Sequence, residues 1–177
     1  MKLDLTPLLK KEAELLPFDF AYEQSEVDYY GDVIEFNSSV DVRGNARKIG
    51  DQLFLETEIQ VNITTHCARC LDAVERTIEA KLYEELLPAG KEKEVEPEEN
   101  VCFYEGFHLD LLQYAQEQLL VLLPVKTICR EDCEGICSRC GQSRDLGECG
   151  CLDQENHEKE PDPRLAQLRD WLEKANE

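Results

Sequence analysis

Long uninterrupted apolar runs are missing from this sequence. No segment contains about eighteen consecutive apolar residues, the length that a membrane-spanning helix requires. Charged residues also interrupt the N-terminal stretch MKLDLTPLLKKEAELLPFDF, which lacks the unbroken apolar core of a secretory signal. The sequence therefore predicts a cytoplasmic protein with no membrane association. In such a reducing compartment its nine cysteines, an odd number, favour metal binding over disulfides.

Basic residues are scarce as well. Nineteen lysines and arginines stand against 39 acids, so the formal net charge at pH 7 is −20. A charge of this size repels the phosphates of nucleic acids and attracts basic proteins. It therefore disfavours direct RNA binding and favours a basic protein partner.

The sequence motifs of familiar enzymes are absent. There is no G-x-G-x-x-G, P-loop, G-x-S-x-G or H-E-x-x-H pattern. The acids lie mainly in solvated runs rather than beside apolar positions that would raise the pKa of a carboxyl group. We therefore predict that the protein has no catalytic residues and is not an enzyme.

Cysteines are abundant in one stretch, CREDCEGICSRCGQSRDLGECGC, which contains six of the nine. In it a C-x-x-C pair is followed, after eight residues, by a C-x-C pair, and glycines between them allow tight turns. Four thiolates in this pattern complete the tetrahedral shell of a zinc ion and leave no open position for chemistry. The pattern predicts a structural zinc site formed by Cys137, Cys140, Cys149 and Cys151.

Five cysteines lie outside this site, and four of them form a distant C-x-x-C pair and a C-x-x-x-C pair. We predict a second zinc site formed by Cys67, Cys70, Cys129 and Cys133. One ion with mixed ligands is the alternative, in which His66 can replace a thiolate, although a histidine at a strand end is more often a surface residue. Cys102 lies in a probable strand and is interpreted as a small buried hydrophobic residue.

Two classes of enzyme use similar cysteine spacings and form the alternative function. The triplet of Cys133, Cys137 and Cys140 has the spacing of radical iron-sulfur enzymes, but only 37 residues follow Cys140, too few for the large barrel those enzymes need. A thiol oxidoreductase would use the C-x-x-C pairs. Neither pair follows a strand and opens a helix, which is the context that lowers a thiol pKa.

Alternation of apolar and polar residues dominates the first part of the chain. It predicts a long strand over residues 53–63 and a second over residues 74–82, in which Arg76 is the one misfit on the inner face. We expect the two strands to pair as a hairpin with HCARC at its tip. Shorter strands are predicted within residues 3–16, followed there by a loop, and in residues 18–22, 39–42 and 101–104.

The predicted fold is α+β, with an antiparallel β core, either a curled sheet or a small barrel. A helix over about residues 109–123, capped by Asp110, packs on this core. A C-terminal Cys-rich zinc module and a terminal helix beginning near Asp162 complete the chain.

Three regions follow from this organisation. The β-rich core comprises residues 1–128, the zinc module packed on it comprises residues 129–152, and a linker with the terminal helix comprises residues 153–177. Within the core, Glu84 to Asn100 carries seven acids, two prolines and one glycine. Because this composition cannot bury much apolar surface, it predicts a mobile acidic loop.

Several motifs occur together in an order that resembles one family. HCARCLD follows a long alternating strand, ICREDCEGICSRCG and CGC come later, and DPRLAQLRDWL ends the pattern. This combination resembles the YceD-like family of large ribosomal RNA subunit accumulation proteins, although Ser138 stands where family members usually have proline. The resemblance implies a non-catalytic ribosome-biogenesis factor that supports accumulation of large-subunit ribosomal RNA. Together with the charge, it implies a basic ribosomal protein or a large-subunit assembly factor as the partner.

Overall fold

The computed structural model describes residues 1–90, 100–147 and 149–151. The chain divides into two compact units, Met1–Glu131 and Asp132–Glu177. The predicted terminal helix lies outside the described residues, as does most of the predicted acidic loop.

The first unit is built on a seven-stranded sheet, together with a separate two-stranded sheet formed by β1 and β9. The elements in chain order are β1 (Lys2–Asp4), α1 (Thr6–Leu9), β2 (Leu15–Tyr22), β3 (Val27–Tyr29), β4 (Asp32–Phe36), β5 (Val40–Ile49), β6 (Gln52–His66), β7 (Ala73–Pro88), β8 (Val101–Tyr104), β9 (His108–Asp110) and α2 (Leu111–Leu122). In the second unit the described residues contain one short 3-10 helix, Arg144–Leu146.

Strand β6 is the centre of the large sheet. It pairs with β7 along one edge and with β5 and then β4 along the other, while β2, β3 and β8 extend the sheet outwards. All of these ladders are antiparallel except β7–β8. In the described residues no ladder joins β2 to β8. The prediction of an α+β fold with an antiparallel β core is confirmed.

The predicted hairpin is present, and β6 alternates along its whole length. Every second residue from Leu53 to Thr65 is buried, whereas the residues between them are half-buried or exposed. In β7 the predicted inner residues Val74, Ile78, Ala80 and Leu82 are half-buried. Arg76 is exposed, so the one misfit in the pattern does not enter the core.

Helix α2 begins where predicted. The carboxylate of Asp110 accepts hydrogen bonds from the backbone N–H groups of Leu112 and Gln113, as an N-cap does. The helix contributes four fully buried residues to the same core as the sheet: Leu111, Tyr114, Ala115 and Leu119. No helix in the described part of the chain is long and apolar enough to cross a membrane.

Three details of the prediction were wrong. Residues 84–88 are not loop but the end of β7, because β8 pairs with them in parallel and Leu86 is buried. Strands β3 and β4 were missed, since each is short and they join through a tight turn at Tyr30 and Gly31. After β1 the chain forms the single helical turn α1, whose Leu8 is buried, where a loop was expected.

Candidate metal centres

The first C-x-x-C pair forms a knuckle at the tip of the β6–β7 hairpin. Cys67 donates its backbone N–H to Asp72 O (2.8 Å), and Leu71 donates its own to Cys67 O (2.9 Å). The N–H of Arg69 points at Cys67 Sγ (3.4 Å). Because Leu71 adopts a φ of 64°, the backbone can reverse here and present both sulfurs on one side.

Two more cysteines complete the first group. The four sulfurs of Cys67, Cys70, Cys129 and Cys133 all lie within 4.8 Å of one another. Cys70 Sγ and Cys129 Sγ are 3.7 Å apart, and the backbone N–H of Cys129 points at Cys67 Sγ (3.4 Å). Cys67, Cys70 and Cys133 are buried and Cys129 is exposed.

Three hydrogen bonds hold the segment around Cys129 beside the hairpin tip. Ala68 donates its N–H to Thr127 O (2.8 Å), and Arg76 Nη2 donates to Ile128 O (3.2 Å). Arg69 Nη1 donates to Glu131 O (2.9 Å). Sequence reasoning identified Arg76 only as a misfit in an alternating strand. Its structural role is to bring the Cys129 segment to the knuckle.

The second C-x-x-C pair forms a knuckle with the same hydrogen bonds. Cys137 donates its backbone N–H to Gln142 O (2.8 Å), and Gly141 donates its backbone N–H to Cys137 O (2.9 Å). Gly141 adopts a φ of 73°. Behind the knuckle, Arg144 donates its N–H to Gly135 O (2.9 Å), and Ile136 and Ser143 form an isolated β-bridge.

The second group of sulfurs is local in sequence. Those of Cys137, Cys140, Cys149 and Cys151 lie within 4.8 Å of one another. Cys137 and Cys149 are buried, Cys151 is half-buried and Cys140 is exposed. The structure thus assembles both predicted quartets with the predicted grouping.

The first cysteine of each knuckle favours the thiolate form. Backbone N–H groups, that of Cys70 first, lower the pKa of Cys67 from 9.0 to about 6 against the opposing effect of burial. The N–H groups of Cys140 and Arg139 do the same for Cys137, whose pKa is also about 6. In Cys151 the neighbouring thiol of Cys140 raises the pKa to about 12. The first cysteine of each knuckle is therefore a thiolate at neutral pH and can bind a metal ion directly.

This geometry fits a tetrahedral ion bound by four thiolates. Zn–S bonds of about 2.3 Å place the sulfurs of such a site about 3.8 Å apart, close to the 3.7 Å between Cys70 Sγ and Cys129 Sγ. Within the part of the chain that the structure describes, three or more ligand side chains come close enough to hold a metal ion at these two quartets. Both groups can hold metal.

The two residues outside these groups are engaged elsewhere. The His66 Nδ1 atom is 2.8 Å from Asp32 Oδ1, in a pair on the hairpin surface. Cys102 is half-buried on β8, packed against the core. Burial raises its pKa to about 12.

The sequence model of the family described as "Large ribosomal RNA subunit accumulation protein YceD" matches residues 55–172, which contain all eight clustered cysteines. An uncharacterised protein of Mycobacterium leprae (strain TN) is 25% identical over 112 residues, which are 63% of this chain and 52% of that protein. The chain thus spans about half the length of the curated relative it matches. No solved structure matches.

Proposed function

Because the chain belongs to the family of large ribosomal RNA subunit accumulation proteins, YceD, we propose that it supports accumulation of large-subunit ribosomal RNA without catalysing a reaction. The observation that carries this proposal is the family match over residues 55–172, which spans the β6–β7 hairpin and both cysteine groups. We also propose a cytoplasmic location, because free thiols persist in that reducing compartment.

The protein acts in this proposal by binding a basic ribosomal protein or a large-subunit assembly factor. Its net charge of −20 supports this choice, because the charge attracts basic surfaces and repels phosphates. Acidic groups on the protein can neutralise a basic partner before that partner meets RNA.

Fewer acids of this segment are available to bind a partner than the sequence suggested. Glu84 is 8% exposed, and its Oε1 accepts a hydrogen bond from Gln118 Nε2 (3.2 Å), so it does not belong to a binding surface. The acids proposed to bind the partner are therefore Glu92, Glu94, Glu96, Glu98 and Glu99, which lie outside the described residues.

The two cysteine groups hold structural zinc in this proposal. Four thiolates fill the coordination shell of each ion, so no position is left for a substrate or a reactive water. Zinc would supply the cross-links that fix the knuckles, and binding free energy in such sites is folding free energy.

The cellular test is the ratio of large- to small-subunit ribosomal RNA in a strain without the gene. We expect a lowered ratio that the wild-type gene restores. A variant with Cys67→Ser and Cys137→Ser should fail to restore it. A ratio unchanged by loss of the gene would contradict the proposal.

The partner test is a pull-down with purified ribosomal proteins and with ribosomal RNA at several salt concentrations. We expect salt-sensitive capture of basic protein, weakened when Glu92, Glu94, Glu96 and Glu98 become glutamine. The matched control neutralises the exposed residues Glu12, Glu14, Glu23 and Glu26, which changes the net charge equally. Salt-sensitive capture of RNA in the absence of protein would contradict the proposed mode of binding.

A further inference from the structure

Three strongly exposed apolar side chains surround one cavity beside the β6–β7 hairpin tip. Tyr30, Leu71 and Val125 are 80%, 60% and 70% exposed. All three line a cavity of about 210 Å³ in the first unit. Clustered apolar exposure of this kind marks an interaction site more often than single exposed residues do.

The backbone holds two of these side chains in an unfavourable conformation. Tyr30 has a φ of 55° and Leu71 a φ of 64°, in the left-handed region that bulky residues rarely adopt. Glycine or asparagine would suit either position better. Both residues lie in tight turns that use this conformation, Tyr30 between β3 and β4 and Leu71 in the first knuckle, and both expose a large apolar side chain there.

One acid, one lysine and one histidine line the cavity: Asp32, Lys126 and His66. The carboxylate of Asp32 accepts hydrogen bonds from the Thr65 hydroxyl and from the backbone N–H of His66 (3.0 Å). Burial raises the pKa of Asp32, but these hydrogen bonds outweigh it and lower the pKa below its usual value. The cavity is therefore lined by one carboxylate, whose Oδ1 also lies 2.8 Å from His66 Nδ1, and by one lysine, on a chain with a net charge of −20.

We propose that this cavity docks a basic segment of a partner protein, with one large apolar side chain of that segment inserted between Tyr30, Leu71 and Val125. The volume suits a single apolar anchor, the usual centre of a protein interface. The flanking basic residues of the segment face the Asp32 carboxylate. The choice of a basic partner rests on the proposed function, whereas the position of the site rests on the cavity.

The test uses a synthetic peptide, acetyl-Gly-Arg-Arg-Leu-Arg-Arg-Gly-amide, titrated into the full chain by calorimetry. We expect saturable binding that weakens about tenfold in Tyr30→Asn and in Leu71→Asn. Asparagine tolerates the left-handed backbone, so these variants should keep their stability and their metal content. The matched control is Lys11→Asn, at the third non-glycine residue with positive φ (61°), which lies away from the cavity and should bind normally.

Two further titrations test the chemistry of the segment. A peptide with alanine in place of leucine should bind at least fivefold more weakly, and Lys126→Glu, which removes the one lysine of the cavity, should strengthen binding of the basic peptide severalfold. Equal binding by a peptide with glutamate in place of arginine would overturn the assignment of a basic partner.

The remaining outcomes are also decisive. Absence of saturable binding, or equal binding by wild type and both asparagine variants, would overturn the proposal. So would self-association in sedimentation velocity that the variants abolish, because a second copy of the chain would then be the occupant. If both variants still capture basic ribosomal protein normally, the docking site is wrong while the proposed function stands. If loss of the gene leaves the ribosomal RNA ratio unchanged, the function fails independently of the peptide result.

Discussion

The two cysteine knuckles have the same backbone hydrogen bonds but different support. In each, the first cysteine donates to the carbonyl five residues later, and the residue after the second cysteine donates back to the first and takes a positive φ. That residue is Leu71 in the first knuckle and Gly141 in the second. The knuckle geometry is therefore independent of the surrounding structure, and what differs is the source of its stability.

The first knuckle lies at the end of a long ladder. Strands β6 and β7 pair continuously from Leu53–Leu86 to His66–Ala73, over a core that includes Ile59, Val61 and Ile63. In the described part of the second unit, by contrast, the buried hydrophobic side chains are those of three cysteines: Cys133, Cys137 and Cys149. A chain with so little apolar burial needs its metal to fold.

Metal removal should give the largest difference between the two knuckles. With a chelator, the amides of Cys137 and Gly141 should lose their protection from hydrogen exchange by about a hundredfold or more, because bound zinc contributes on the order of 10 kcal/mol to such modules. Amides of the β6–β7 ladder should change by less than about tenfold, since the sheet core remains. Equal loss in both regions would contradict the distinction.

The reactivity of the first cysteines should follow from the same difference. In metal-free protein Cys67 keeps its supporting N–H groups, and a pKa of about 6 leaves it mostly thiolate at pH 7. Cys137 loses its pKa of about 6 when its knuckle unfolds and returns towards the usual 9.0. The alkylation rate of Cys67 should therefore stay constant from pH 9 to pH 7 and fall only as the pH falls through 6, whereas that of Cys137 should already fall below pH 9.

Mass spectrometry of the labelled peptides can follow this reaction. Cys102, with a pKa of about 12 because of its burial, should label last and serves as the internal control. The same pH dependence of the two rates would show that the hairpin does not preserve its knuckle without metal.

Exchanging the residues at the positive-φ positions should have a smaller effect. Leu71→Gly removes strain and should raise the free energy of unfolding by about 0.5–1 kcal/mol, as relief of the left-handed conformation exceeds the added chain entropy. Gly141→Leu adds the same strain and should weaken metal binding at the second group by about 1–2 kcal/mol. Chemical denaturation and competitive zinc titration measure the two effects. Destabilisation by Leu71→Gly would show that the leucine side chain stabilises the knuckle.

Loss of a single supporting hydrogen bond should have the smallest effect. Arg76→Ala removes the donor to Ile128 O and should weaken zinc binding at the first group by about 0.5–1.5 kcal/mol. The second group should be unaffected, because it lies in a separate segment of the chain. Glu75→Ala, at the neighbouring exposed position of β7, is the matched control and should leave both affinities unchanged. Equal effects of the two substitutions on zinc affinity would contradict the role assigned to Arg76.

Much of this organisation could be predicted because it is local in sequence. The alternation in β6, the Asp110 cap of α2 and the spacing of the second quartet each depend on residues close together in the chain. The grouping of the first quartet could also be inferred, by elimination, once the second was assigned. The resemblance to the family, confirmed by the family model, rested on such motifs as well.

The features that escaped prediction depend on distant partners or on conformation. The role of Arg76 is set by a carbonyl 52 residues away, and the strand at residues 84–88 depends on parallel pairing with β8 across an acidic segment. Likewise, no pattern shows that Tyr30 and Leu71 take a positive φ and meet at one cavity with Val125. Local composition predicts elements, whereas these contacts arise only when the elements are assembled.

The metal content of each chain tests the central claim, that this protein contains two four-cysteine metal centres. Native mass spectrometry of protein purified without added metal, paired with a thiol count before and after chelation, measures it directly. We predict two zinc ions per chain and eight thiols that become reactive only after chelation. Iron, or metal-free protein whose C-x-x-C thiols label at once and cycle with reductant, would contradict the claim and favour a thiol oxidoreductase or an iron-sulfur enzyme instead.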